Sequence, residues 1–202
     1  MAAKCDHLAM AKYPATTAGR NRNRNSYELK STRDYRETLR LRPTGGADLA
    51  WVTALERHAD NRPLIGQWTD AQHLAAVAGE AGREHWIIER DGKPAGYLIA
   101  YDCRASGAGL HVKRILVADK ERGTGGAALA AFLEDAFGRR GFDCAWLNVR
   151  ADNARAQSVY TRLGFRRFEP DALEAARYDA AAEAPGERAF RMRLARDAFS
   201  GG

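Results

Sequence analysis

The sequence predicts an α/β protein of the α+β type: one domain on a mixed, mostly antiparallel sheet of about six or seven strands flanked by about four helices. Three observations carry this. After one strand and two short helices come three strand-like runs in succession, joined by a tight turn and then a Gly-rich connection. From Gly125 the apolar residues switch to helical spacing, and strand-like and helix-like runs then alternate. The 202 residues, 45% of them hydrophobic and 29% charged, suffice for one sizeable core, with no linker to mark a second domain.

Taken in order, residues 1–26 lack periodicity and contain Arg20-Asn21-Arg22-Asn23-Arg24-Asn25. A disordered basic extension is expected there, ahead of a domain at 27–202. Thr38 to Arg42 alternates apolar and polar residues as a half-buried strand does, and Pro43 ends it. Ala47 to His58 carries Leu49, Val52 and Leu55 at helical spacing. A second short helix starts at Thr69 or Asp70, either of which suits an N-cap, and its Leu74 and Val77 should point inward. His85–Glu89 and Gly96–Tyr101 read as strands around an Asp91-Gly92 hairpin turn, and Leu110–Val117 as a third. Leu129, Phe132, Leu133, Ala136 and Phe137 form one apolar stripe of a helix from Gly125 to Arg140, stopped near Gly141. Cys144–Val149 is the next strand, and Asn153–Leu163 the next helix. A strand follows Gly164-Phe165, an Ala-rich stretch at 170–186 reads as helical or loose, and Phe190–Leu194 is the last strand.

Charge and cysteines narrow the function classes. The net charge is +6, but residues 1–25 hold five cations against Asp6 alone, so the remaining 177 residues carry only +2. A nucleic-acid partner is therefore not expected of the folded part. The N-terminus lacks the apolar core of a signal peptide, and no run approaches the roughly 18–20 apolar residues of a membrane helix. A cytoplasmic protein without a membrane partner is expected, with a homodimer compatible. Cys5, Cys103 and Cys144 are few and far apart, which fits reduced thiols and offers no metal pair; no metal cofactor is expected.

Two segments carry chemistry. Arg122-Gly123-Thr124-Gly125-Gly126-Ala127 lies between a strand and a helix. A helix start presents unpaired N–H groups and the positive end of the dipole to an anion, and glycines let a diphosphate approach the backbone. Such a loop is often purely structural. It is neither a P-loop nor a dinucleotide fingerprint opening a parallel βαβ unit. The second segment is Asn153-Ala154-Arg155-Ala156-Gln157-Ser158-Val159-Tyr160, closed by Leu163-Gly164-Phe165. Seven residues apart on a helix, Asn153 and Tyr160 share nearly one face. An N-cap and a core tyrosine are the plain alternative.

Together, in this order and spacing, the two segments resemble the GNAT superfamily of N-acetyltransferases. Arg122-x-x-Gly125-x-Ala127 is similar to that family's Q/R-x-x-G-x-G/A signature, and Asn153-x-x-Ala156-x-x-x-Tyr160-x-x-x-Gly164-Phe165 to its second. Arg114-Ile115-Leu116-Val117 looks like the end of the family's fourth strand. The resemblance implies a sheet splayed between the family's strands four and five, with acetyl-CoA as cosubstrate and a primary amine as acceptor, in a protein or a small molecule. By it, the backbone at Leu116 and Val117 would bond the pantetheine. Arg122 and the loop formed by Gly123, Thr124, Gly125, Gly126 and Ala127 would hold the pyrophosphate. Asn153 would steady the pantetheine, and Tyr160 would protonate the departing thiolate. Gly126 departs from the family pattern, which has an aliphatic residue there. A degenerate domain that binds acyl-CoA without transferring it is the alternative.

The base is less determined. The resemblance places it six residues before Val117, at His111, whose ordinary pKa of about 6.5 suits the task. The alternative is an exposed strand histidine with Lys113 as same-face neighbour. His85, Glu84, Glu56, His58 and a water chain compete with it. On the acceptor side Trp68 and His85 are candidate wall residues, with Trp68 equally readable as a core anchor. Glu169, Asp171, Glu174, Asp179, Glu183 and Glu187 would form an acidic rim for a cationic acceptor, or a merely solvated one.

Overall fold

A computed structural model of the chain describes residues 27–29, 39–101, 109–120, 122–181 and 189–199. The expected extension at 1–26 and the cysteines Cys5 and Cys103 lie outside these. The strands are β1 (Tyr27–Leu29), β2 (Leu39–Pro43), β3 (Arg83–Arg90), β4 (Lys93–Tyr101), β5 (Leu110–Val117), β6 (Cys144–Arg150), β7 (Arg166–Phe168) and β8 (Ala189–Ala195). The helices are α1 (Leu49–Arg57), α2 (Asp70–Ala78), α3 (Thr124–Gly138), α4 (Ala154–Arg162) and α5 (Ala172–Ala181). They build one eight-stranded sheet in the order β1-β2-β3-β4-β5-β6-β8-β7. The short β1, paired antiparallel with β2, is the strand beyond the six or seven expected. Only β5 and β6 run parallel. Among the described residues no helix is long and apolar enough to cross a membrane.

Local chemistry accounts for the boundaries. Asp91 and Gly92 both have positive φ, 51° and 73°, as the tight β3–β4 hairpin requires. Thr69 caps α2 by accepting from the Gln72 amide at 3.3 Å, while Gln72 accepts from the Thr69 amide at 2.8 Å. Gly79 ends that helix at φ 78°.

Strand alternation divides the core into two faces. On one, the predicted stripe of α3 packs against Leu41, Trp86, Ile88 and Leu98, with Val159 and Tyr160 of α4 alongside. On the other, α1, α2 and the connection between them bring Val52, Ala76 and Trp68 against Ile87, Tyr97, Ile99 and Leu116. One expectation fails here. Leu74 of α2 is 53% exposed, and the buried residues of that helix are His73 and Ala76.

His73 takes the inner position because a polar layer awaits it. Its Nδ1 lies 3.2 Å from His85 Nε2, and its Nε2 lies 3.4 Å from Glu56 Oε1. Glu56 also accepts from the Tyr97 hydroxyl at 2.5 Å, from the Trp68 amide at 3.2 Å and from the Arg114 guanidinium. His85 Nδ1 sits 2.8 Å from the Thr44 hydroxyl. Burial alone would raise the Glu56 carboxyl, but hydrogen bonds from His73 and Tyr97 and the Arg114 charge outweigh it and hold the group down at about 2. Burial first, and then the electrostatic interaction with the His73 ring beside it, push His85 down to about 3.

These shifts fix the pH dependence of stability. Between the ordinary value of 6.5 and about 3, the unfolded chain binds a proton at His85 that the folded chain refuses, so stability falls as pH falls through that window. Glu56 adds the same sign between 4.5 and about 2. Denaturant midpoints measured from pH 7 to pH 4 should fall with a slope of up to about 1.4 kcal/mol per pH unit from His85. His85→Gln should flatten that slope, whatever it costs at pH 7. Parallel curves for the two proteins would refute the assignment.

Candidate active site

β5 and β6 pair only at Leu110–Ala145 and His111–Trp146, then part. Ala118 donates its amide to Ala95 of the strand before, at 2.8 Å. Backbone direction alternates along a strand, so Leu116 and Arg114 bond toward β4, while Val117 and Ile115 turn their N–H and C=O groups into the gap. Of the two residues expected to offer backbone to a pantetheine arm, Val117 is the one so turned. Leu116 instead sends its side chain under α1. β4 and β5 approach closely here: a Cβ on Gly96 would lie 2.5 Å from the Leu116 carbonyl oxygen.

At the end of β5 the chain turns through Gly123, whose φ of 73° is left-handed and which gives α3 no side-chain cap. The first intrahelical amide bond is made by Ala127, which donates to the Gly123 carbonyl at 3.0 Å. The amides of Thr124, Gly125 and Gly126 precede it, at the positive end of the α3 dipole. The Ala127 amide is thus engaged within the helix, and the Thr124 side chain is buried. Arg122 is exposed, 3.8 Å from Asp119. The start of α3 sits between β5 and α4. A Cβ on Gly125 would stand 3.6 Å from Val117, and one on Gly126 only 3.4 Å from Val159. The glycine at 126, in place of an aliphatic residue, lets α4 come this close. Beside the loop a cleft of about 430 Å³ opens between Leu55, His58 and Asn61 on one side and Ala118, Lys120 and Arg122 on the other.

Asn153 caps α4, accepting from the Ala156 amide at 3.1 Å. Two turns on, Tyr160 is half-buried, its ring 5.9 Å from that of Phe165. Burial pushes its phenol up to about 12, so it carries its proton throughout the neutral range.

The other side of the gap differs from expectation. His111 is fully buried rather than an exposed strand residue. Its ring stacks on Trp146 at 3.9 Å and meets Tyr101 edge-on at 5.4 Å. Among the described residues neither ring nitrogen has a hydrogen-bond partner. Burial, then the charges of Lys113 and Arg191, push its pKa well below the ordinary value. Lys113 is not its next neighbour in register: a bulge skips it, so that Val112 faces Ala100 and Arg114 faces Ile99. Arg114 thereby joins His111 on the α1 side of the sheet.

Trp68 and His85 both belong to the buried polar layer, at 9% and 0% exposure, so neither walls an open pocket. Of the competing bases, Glu56 is saturated by its partners and Glu84 is paired with Arg140 at 2.8 Å. His58 is exposed at the cleft, 3.6 Å from Asp60. Within the acidic segment, Glu169 pairs with Arg167 at 2.9 Å, and Glu174 lies 3.7 Å from Arg193. Glu183 and Glu187 lie outside the described residues, as does the Asp179 side chain. The residues missed by sequence reasoning are Arg114, Tyr97 and His73. A strand arginine, a core tyrosine and a helix histidine give no local signal of converging on one carboxylate.

Comparison with known proteins places this geometry. The model of the acetyltransferase (GNAT) family matches residues 49–165. Similar solved structures include the aminoglycoside acetyltransferase AAC(6')-Ib in complex with coenzyme A and kanamycin (TM-score 0.64, 18% identity, covering 79% of this chain and 96% of that one). Another is the spermidine N-acetyltransferase from Vibrio cholerae in complex with CoA and spermine (TM-score 0.60, 14% identity, 79% and 96% covered). A third is an uncharacterized protein from Bacillus halodurans (TM-score 0.67, 14% identity, 86% and 92% covered). At these identities the likeness is one of fold. No curated protein matches the chain in sequence. The parting strands, β5 and β6, take the places of the family's fourth and fifth, since β1 is extra. With the match spanning more than half the chain and both motifs, from α1 to the turn after α4, this protein belongs to the GNAT acetyltransferase family.

Proposed function

We propose that this chain transfers an acetyl group from acetyl-CoA to a primary amine by direct attack in a ternary complex. The observation that carries the reading is the continuity of three features. Uncapped amides at the start of α3 suit a pyrophosphate, the open β5 edge at Val117 suits the amide-bearing pantetheine, and Tyr160 stands on the helix that closes the gap. The residues present fit coenzyme A in charge and shape: Arg122 supplies a cation, and Gly123, Thr124, Gly125 and Gly126 supply backbone without bulk.

In the reaction the amine nitrogen bonds to the thioester carbonyl carbon, the C–S bond breaks, and the sulfur leaves with the electron pair. Tyr160 lends its proton to that sulfur as charge builds on it; a phenol at about 12 holds the proton throughout the neutral range, and the phenolate, the stronger base of the two, regains one from solvent. The nitrogen, acidified once bonded to the carbonyl carbon, loses its proton on the His111 side of the gap. Burial keeps His111 neutral and able to accept it, though as a weak base. Alignment of the amine against the thioester then supplies much of the rate. For the acceptor, the kanamycin and spermine complexes of the fold neighbours support small polyamines as the first amines to try, with protein N-termini and lysines beside them.

Free-thiol release from acetyl-CoA in the presence of kanamycin, spermine and amine-bearing peptides tests the reading. Binding of CoA with no thiol release against any amine would leave only an acyl-CoA-binding domain. Tyr160→Phe should lower kcat by about 100-fold or more while CoA affinity holds. Arg122→Ala should weaken CoA binding about tenfold with little change in kcat. His111→Ala should lower kcat/KM with CoA binding intact; unchanged kinetics across pH 6–9 would remove it from the mechanism.

A further inference from the structure

The proposed mechanism leaves the buried ion pair between α1 and β5 without a task. Glu56 is 1% exposed and Arg114 8%. Their contacts converge on one stretch of chain, the connection from α1 to α2. Arg114 donates to the Gly66 carbonyl at 2.6 Å, and its guanidinium lies over the Trp68 ring at 5.2 Å. Glu56 accepts from the Trp68 amide, and its own backbone carbonyl accepts from the Gln67 side chain at 3.2 Å. Residues 66–68 are thus held at three successive positions, Gly66 and Trp68 by the two side chains and Gln67 by the Glu56 backbone carbonyl. Tyr97 and His73 fix Glu56 from β4 and α2.

Stability is a poor reason for such a pair. Taking two charges out of water costs about what their attraction returns, and apolar replacements of similar volume are often neutral or better. Apolar side chains, however, cannot bond the Gly66 carbonyl or the Trp68 amide. What the pair uniquely supplies is the placement of this connection. That placement lies beside the reaction. Arg114 follows His111 on the same side of β5, across the bulge, where the gap opens. α3 and α4 pack on the opposite face, and an amine approaching His111 along the α1 face would pass the exposed Gly66 and Gln67, which Arg114 and Glu56 hold.

We propose that Glu56 and Arg114 are positioning residues for the acceptor amine, acting through residues 66–68 and not through acetyl-CoA. The inference rests on the acetyltransferase reading above.

The test uses the full chain with the amine from the kanamycin, spermine and peptide panel that gives the highest kcat/KM. Removing one charge strands the other and risks unfolding. The decisive variant is therefore Glu56→Met with Arg114→Met, alongside Arg114→Lys, which keeps the charge but loses the guanidinium fork. Both should raise the KM for the amine about tenfold or more, as loss of charge-assisted bonds does, with the KM for acetyl-CoA within about twofold of wild type. Amide exchange at Trp68 should quicken in the double variant by more than exchange at the α3 amides, which report global unfolding. A folded double variant with unchanged amine KM, or one whose acetyl-CoA KM rises in parallel, overturns the inference and leaves the acetyltransferase reading intact. Wild-type protein that binds CoA yet releases no thiol with any amine overturns that reading, and the inference falls with it.

Discussion

An interior strand pair that separates after two residues leaves backbone donors and acceptors in the middle of a sheet, and unpaired buried groups of that kind are expensive. The parting of β5 and β6 is the constraint on which the rest of this fold depends. β5 is drawn to β4, where Gly96 permits an approach that any side chain would block. β6 is drawn to β8, with which it pairs along its whole length from Cys144 to Arg150. The start of α3 packs on α4 at the opening, close enough that a Cβ on Gly126 would already touch Val159. An extended amide-bearing ligand would complete the sheet at Val117 as a neighbouring strand would. Its anionic end would reach the α3 start, whose first amides have no partner within the helix.

The two faces of the sheet set the titration states that such chemistry needs by different means. On the α3 face the surroundings are apolar, and Tyr160 is kept protonated by burial alone. On the α1 face polar groups are numerous. There the outcome for each depends on whether it is supplied with partners. Glu56, given four, stays ionised in the interior. His85, fully buried, is driven neutral chiefly by the loss of water around it, more than Glu56 and Asp48 can offset. His111, enclosed by Trp146 and Tyr101 near two cations, is driven the same way.

The motifs of the proposed coenzyme site were legible in the sequence because they are local. A Gly-rich turn, a strand before it and a helix after it lie within about a dozen residues, and their geometry follows from φ preferences and helix termini. The Asp91-Gly92 turn and the Thr69 cap were readable for the same reason. Where reading failed, the deciding contact came from afar. Leu74 reads as the inward residue of α2 until Glu56 and His85 supply partners for His73. His111 reads as exposed until a bulge at Lys113 and the ring of Trp146, from the next strand, enclose it. The division between Leu116 and Val117 depends on the register with β4, and alternation alone leaves that parity open.

The same contrast bears on how the site can vary. A phosphate cradle made of backbone amides is insensitive to most side-chain changes provided the glycines remain. The acceptor side is assembled from α1, α2, β4, β5 and β6, and each contributes one or two side chains to a shared layer. The layer of Glu56, His73, Tyr97 and Arg114 touches residues 66–68, whereas Val117, at the end of β5, packs against the start of α3. On the proposed reading the two binding tasks separate: the coenzyme would be held by main chain at the start of α3 and the edge of β5, and the choice of amine would rest with side chains on the α1 face.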